Sequence, residues 1–338
     1  MSAVLSSVAP LDCERRPLAH WLATAPADRG LGGLAYGPAP GCDSVSARVL
    51  SADGPQVDAW MTEGPFTDGR CGRVRWRHNG RWLFGAVELD EGVERQGLEA
   101  LAHRAYADIF ATLRETGCGQ LQRLWNYLPR INLDGGGLER YRQFNSGRQI
   151  AFLEAGYAAF EGAPAACAIG TLEGPFCVRF LAGTVPPVPV ENPRQVSAYH
   201  YPSAYGPRSP TFSRAALVPV ADDRVALLIS GTASIVGHAS VHPGDVVAQT
   251  RETLTNLQAV IDAAHARTSA RFALSDMDCT IYVRHAEQAT AIRGLFDAAV
   301  GAGSRASRSA VVLEADICRA DLLVEIEAQG FARGTVKR

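Results

Sequence analysis

Lysine is almost missing from this chain. Of its 33 Lys and Arg residues, only Lys337 is a lysine. Chemistries that rest on a well-placed amine are therefore not expected, among them pyridoxal-phosphate enzymes, Schiff-base aldolases and P-loop NTPases. Any bound anion must be held by arginine, whose planar fork grips carboxylates at two points. No C-x-x-C pair occurs among the eight cysteines at 13, 42, 71, 118, 167, 177, 279 and 318, so reduced thiols are expected instead of a disulfide framework. A net charge of −2 supplies no basic face for nucleic acid or an anionic membrane. No apolar run approaches the roughly 18–20 residues that span a bilayer. Pro10, Asp12, Glu14, Arg15 and Arg16 interrupt the start of the chain, unlike a secretory leader. G-x-S-x-G, a strand-following G-x-G-x-x-G and H-E-x-x-H are all absent. His238 and His242 lie four apart, but Gly237 and Pro243 break any helix there and no acidic third ligand is near, so no metal site is expected. The expectation is a cytoplasmic protein with neither metal nor cofactor.

What is present is periodic. Residues 1–50, rich in Pro and Gly, read as an irregular, partly strand-forming arm. Strand signals run from Gln56 to Asp90. An amphipathic helix follows, with Leu98, Leu101, Ala105, Ile109 and Leu113 on one face and Gly117 closing it. Next come a strand at 121–128, a Gly-rich loop from Asp134 to Gly137, a helix at 139–155, and strands at 166–171 and 176–182. The order then recurs: strand 225–230, helix 245–264, strand 279–283, helix 287–300, strands 309–313 and 321–327. The expected fold class is α+β, with two β-α-β-α-β-β units at 51–184 and 216–330 and mixed sheets packed against helices. Between them, Val185 to Arg214 holds seven prolines together with three Tyr, one His and three Arg. That is too aromatic for a disordered linker. Residues 185–215 read as an ordered connection that presents Tyr and Arg to a site.

The final strand carries the sharpest signal. Its pleat sends Leu322, Val324 and Ile326 to one face and Leu323, Glu325 and Glu327 to the other. The second face is either solvated or lines a cavity; in a cavity a desolvated Glu325 would have a raised pKa and act as a general acid. Cys318 is either a small core residue or faces the same cavity. Tyr141 and Arg148, seven apart, share a helical face. That face is either solvated, or it points Arg148 inward toward an anion. Arg208 and Arg214 on the Pro-rich connection offer a second anion site. A carboxylate with several Arg and Tyr and no cofactor motif suits acid chemistry on a small polyanion.

Gly244 to Ile261, together with Asp321 to Ala328, resembles the enamine/imine deaminases of the YjgF/RidA type. Their small α+β unit trimerises with sites between subunits. Ile317 stands where those deaminases carry a carboxylate-binding arginine, which counts against their activity here. Over about residues 120 to 327 the chain more closely resembles the chorismatases, on Arg123–Asn132, Tyr141–Arg148, Glu191–Pro202, Tyr205–Pro210 and Ile317–Glu327. The resemblance implies two RidA-like units in a pseudo-trimer-like arrangement, a monomer, and a site at the C-terminal unit. It implies that chorismate is cleaved to release pyruvate, that Tyr141, Arg148, Tyr205 and Arg214 bind it, and that Glu325 is the catalytic acid. Gly231 and Cys318 resemble the 3-hydroxybenzoate synthases of the family more than its hydrolases. Gly231 would then make room for the substrate's pose, and Cys318 would assist a proton or ring-oxygen step. A hydrolase giving the dihydroxycyclohexadiene carboxylate, an imine deaminase and a non-catalytic binder of small acids stay open as alternatives.

Overall fold

The structure is a computed structural model that describes residues 9–24, 28–37, 44–51 and 54–337. The chain begins with β1 (Asp12–Pro17), α1 (Leu18–Thr24), β2 (Gly30–Tyr36), β3 (Ser44–Val45), β4 (Arg48–Val49) and β5 (Gln56–Met61). Strands form within residues 1–50, where a partly strand-forming arm is expected, but their sheet does not end at residue 50. β5 pairs antiparallel with both β1 and β2, and β3 completes a four-stranded sheet that crosses that boundary. Glycines in β2 hide its alternation, yet Leu31, Leu34 and Tyr36 are buried.

Next come β6 (Thr67–Cys71), β7 (Val74–His78), β8 (Trp82–Leu89), α2 (Glu91–Glu94), α3 (Leu98–Thr116), β9 (Gln120–Pro129), α4 (Arg140–Glu154), β10 (Ala165–Thr171) and β11 (Phe176–Gly183). The predicted stripe on α3 is fully buried, and Gly117 ends the helix at φ 72°, a left-handed conformation glycine adopts freely. Burying each such leucine is worth roughly 1.5–3 kcal/mol. After β12 (Val188–Val190) come β13 (Ala215–Ala221), β14 (Arg224–Ala233), the small hairpin β15 (Ile235–Val236) and β16 (Ala239–Ser240), and α5 (Val246–Ala266). The remaining elements are β17 (Asp278–Val283), α6 (Ala289–Val300), α7 (Arg305–Ser309), β18 (Val311–Glu314), β19 (Asp316–Ile317) and β20 (Val324–Arg333).

The two seven-stranded sheets have one topology. Their orders are β6-β7-β8-β11-β9-β10-β19 and β12-β13-β14-β20-β17-β18-β4. In each, the unit's last strand is inserted antiparallel between the strand before the first helix and the strand after it. The strands flanking the second helix are parallel. Each sheet also borrows an edge from outside its unit, since β19 pairs with β10 and β4 with β18. The three large inner faces share a core in which Tyr36 and Trp60, Trp125 and Tyr127, and Leu228 and Tyr282 meet.

β20 starts three residues later than expected and runs on to Arg333. Leu322 and Leu323 belong to a turn because Arg284 takes carbonyls that a ladder would otherwise use. It donates to those of Ile317 (3.2 Å), Arg319 (2.9 Å) and Leu322 (2.7 Å). Among the described residues, no helix is long and apolar enough to cross a membrane.

Candidate active site

The site is built around an irregularity. The β14–β20 ladder slips between Ile229 and Thr232, so Ser230 and Gly231 leave the regular pairing; bulges of this kind re-aim side chains. Ser230 Oγ donates to the Ser213 carbonyl (2.6 Å) and accepts from the Ala166 N–H (2.9 Å), which ties β14 to β10 of the other sheet. Gly231 lies against Glu325. A Cβ at 231 would stand 1.9 Å from Glu325 Oε1. The space that glycine leaves is thus occupied in part by the Glu325 carboxyl.

Glu325 opens on a cavity of about 430 Å³. α4 lends it Tyr141, the Pro-rich connection Tyr201, Tyr205, Phe212 and Arg214, and the turn before β20 Cys318 and Arg319. A smaller chamber behind it, about 30 Å³, shares Tyr141, Phe212, Gly231, Cys318 and Glu325 and adds Asn145, Arg148 and Cys167. The seven site residues that the resemblance implies (Tyr141, Arg148, Tyr205, Arg214, Gly231, Cys318 and Glu325) each border one or both of these adjoining spaces. The C-terminal unit supplies Gly231, Cys318 and Glu325, and the N-terminal unit adds Tyr141 and Arg148. α4 reaches the site by lying close on α3, where a Cβ at Gly147 would meet the Glu99 carbonyl oxygen at 2.0 Å.

The solvated alternatives for both polar faces are overturned. Glu325 and Glu327 are 3% and 4% exposed, and Arg148 is 2% exposed. Burial, then the charge of Glu327, pushes the Glu325 carboxyl up to about 8, against the pull of Arg123, Arg214 and the Cys318 hydrogen bond. At neutral pH it keeps its proton. Cys318 Sγ is 3.9 Å from Glu325 Oε2, and burial followed by Glu325 pushes the thiol up to about 12, so it is a neutral weak donor and not a thiolate. Burial also raises Tyr141, keeping its hydroxyl intact.

The Arg148 guanidinium rests over the rings of Tyr106, Phe144 and Phe152 at 5.2, 5.7 and 5.5 Å. Among the described residues, its Nε and Nη2 have no hydrogen-bond acceptor. Burial lowers its pKa, though arginine stays a cation in proteins. A buried cation without a carboxylate is costly unless an anion arrives. Arg214 is partly satisfied. Its Nη2 donates to the Val196 carbonyl (2.9 Å) and the Tyr201 hydroxyl (2.7 Å), while Nε has no hydrogen-bond partner among the described residues.

Sequence reasoning missed Arg319. It stacks over Tyr205 (4.1 Å) and Tyr201 (5.1 Å), donates to the His238 carbonyl (2.8 Å), and leaves Nη2 unpartnered. Its neighbour Cys318 and the Tyr-rich connection were the available signals. Arg208 does not line the cavity and donates to Gln149 Oε1 at 3.2 Å. His238 meets the Tyr205 hydroxyl at 3.2 Å, whereas His242 faces Glu252 at 3.8 Å. The seven described cysteines are free thiols, and Cys42 lies outside the described residues.

Known proteins share this architecture. The family described as Chorismatase FkbO/Hyg5-like, N-terminal, matches residues 58–182. A 3-hydroxybenzoate synthase from Streptomyces hygroscopicus is 38% identical over 283 residues, 81% of each chain. A chorismatase from Streptomyces rapamycinicus is 38% identical over 299 residues, 86% of each chain. A chorismatase crystal structure superposes with a TM-score of 0.81 at 30% identity, covering 96% of this chain and 99% of that one. With such agreement over nearly its whole length, the chain belongs to the chorismatase family and is an enzyme.

Proposed function

We propose that the protein cleaves chorismate to pyruvate and 3-hydroxybenzoate, with Glu325 as the proton donor. The observation that supports this most is the pairing, around one small chamber, of a neutral buried acid with the unpartnered cation Arg148. Chorismate carries two carboxylates, and Arg148 and Arg214 offer a guanidinium to each. Tyr141 and Tyr205 present hydroxyls along the same walls. All of these groups come from one chain, so a monomer suffices in this scheme, with 51–184 and 216–330 as its two units.

Glu325 delivers its proton to the terminal methylene carbon of the enolpyruvyl group. Carbon is a slow base, so an acid still protonated near the working pH is required. The resulting oxocarbenium weakens the ether bond. The neighbouring ring hydroxyl displaces the ether oxygen, which leaves as the carbonyl oxygen of pyruvate, and the hydroxyl proton returns to Glu325. The ring oxide so formed isomerises to the phenol. Product and pyruvate together contain the atoms of chorismate, so no water is consumed. The similarity to a relative named 3-hydroxybenzoate synthase supports this product, as does the resemblance at Gly231 and Cys318. Attack by water would give the dihydroxycyclohexadiene carboxylate instead.

Incubation with chorismate and chromatography of the products tests the proposal. Equal amounts of pyruvate and 3-hydroxybenzoate are expected; binding without pyruvate release would refute it, and the diene would move the protein to the hydrolases. Cys318→Ala leaves Glu325 in place and should raise the diene share. An unchanged product ratio removes Cys318 from product choice.

A further inference from the structure

Two residues beyond Glu325, on the same face of β20, lies a second buried carboxylate that touches neither chamber of the site. Glu327 is 4% exposed. Arg123 Nη2 lies 2.5 Å from its Oε2, and the Tyr282 hydroxyl donates to its Oε1 at 2.8 Å. The Tyr127 hydroxyl stands 3.1 Å from that of Tyr282. The Arg123 guanidinium lies over the Trp125 ring at 5.4 Å, and its Nη1 has no hydrogen-bond partner among the described residues. On the far side, Arg15 of β1 donates to Thr280 Oγ1 (2.8 Å) and to both Asp58 oxygens (2.7 and 2.8 Å). Thr280 is the cross-strand partner of Glu327, and Tyr282 that of Glu325. A buried polar column thus runs from the small sheet, through the core, to the back of the acid.

Alternate residues of a strand face lie about 7 Å apart. At that spacing an anion at 327 opposes a second negative charge at 325. With a cation and a hydroxyl both fixed on Glu327, the negative charge of the pair has one settled place, and the proton the other. We infer that Glu327, anchored by Arg123 and Tyr282, is a positioning residue that holds a fixed anion behind Glu325 and so keeps the transferable proton on Glu325. This rests on the proposed role of Glu325. It agrees with the raised proton affinity of Glu325, in which Glu327 is the second cause after burial. The other groups around Glu325 are Arg214 from the connection, Arg123 from β9, Cys167 from β10, Tyr141 and Arg148 from α4, Tyr282 from β17, and Cys318 from the turn. Of the charged ones, Glu327 raises its proton affinity and Arg123 and Arg214 pull it down; Arg148 borders the inner chamber, and Glu139, Arg142, Arg319 and Asp321 line the outer cavity with Glu325.

The test is the pH dependence of chorismate kcat/KM in the full-length chain. In Glu327→Gln the fall of rate at alkaline pH should begin about one unit or more lower than in the parent. KM and the rate on the acid plateau should change only a few-fold, and Glu327→Asp should restore the parent profile. A rate lowered equally at every pH, with the limb unmoved, overturns the inference, as does failure of Glu327→Asp to restore it. Glu327→Gln leaves Arg123 as a buried unpaired charge and can fail to fold. The double variant Arg123→Met with Glu327→Met removes both charges and then carries the test, its limb moving down by a smaller step. The carboxylic-acid infrared band of Glu325, assigned by its loss in Glu325→Gln, is titrated in the same proteins without substrate. A shifted band in a protein that never turns over chorismate supports the inference while the substrate reading fails. An unshifted band overturns the inference even where turnover persists.

Discussion

α4 and α6 occupy the same place in the two units and are built on opposite plans. α6 buries Ile292, Phe296 and Val300, while Arg293 pairs with Asp297 one turn away at 2.9 Å. It is the apolar stripe that packing alone requires. α4 buries Arg140, Asn145, Ser146, Arg148 and Gln149 beside Phe144 and Phe152. Burying polar groups costs stability unless each is matched, and Arg148 Nε and Nη2 are not matched among the described residues. The last strands differ in the same way: β20 sets two carboxylates on its inner face, and the acid among them faces α4 of the other unit. One copy of the helix carries a plain apolar stripe, and the other holds a buried cation at the edge of a cavity.

The comparison can be broken most forcefully at the acid. Glu325→Gln should lower turnover by about 10²–10⁴-fold, read in a pyruvate-release assay, with substrate binding retained. Its stability should also change with pH in a set direction. The folded carboxyl is held at about 8, above its ordinary 4.5, so its favourable contribution is complete below 4.5 and is lost as pH rises through 8. The glutamine variant escapes that loss. It should match the parent below 4.5 and exceed it above 8 by on the order of a few kcal/mol, as followed by thermal melts across the range.

Arg148→Met should weaken chorismate binding by about 10–100-fold, the worth of one charge-assisted contact. The ligand-free protein should melt no lower than the parent, because an orphan charge has been replaced by an apolar chain of similar length. A melting point several degrees lower would show that Arg148 holds up the fold, as α6 does. The smallest effect belongs to α6 itself. Arg293→Ala should leave kcat/KM unchanged and stability within about 0.5 kcal/mol, measured by denaturant titration.

The sequence makes the repeat and much of the site legible. The α3 stripe from Leu98 to Leu113 and its Gly117 stop stand where periodicity places them. The pleat of the final strand already separates Glu325 and Glu327 from Val324 and Ile326. Pleat gives direction only; what covers a face comes from far along the chain. Glu325 is enclosed by Cys167, Tyr141 and the β14 bulge, none of which a local window contains. The turn that carries Cys318 and Arg319 is shaped by Arg284, more than thirty residues upstream. The small sheet was hidden for the opposite reason, since its glycines erase the alternation that announces a strand.

The Ser230 hydroxyl, bonded across from one unit to the other, marks how intimately the halves are joined. In a ring of identical subunits every substitution recurs at each interface. Within a single polypeptide a mutation is written once, and the arginine buried on α4 has no counterpart buried on α6. Two units of like topology in one chain are therefore free of that constraint: the face around Arg148 and Glu325 can differ from its counterpart, while α6 keeps to plain packing.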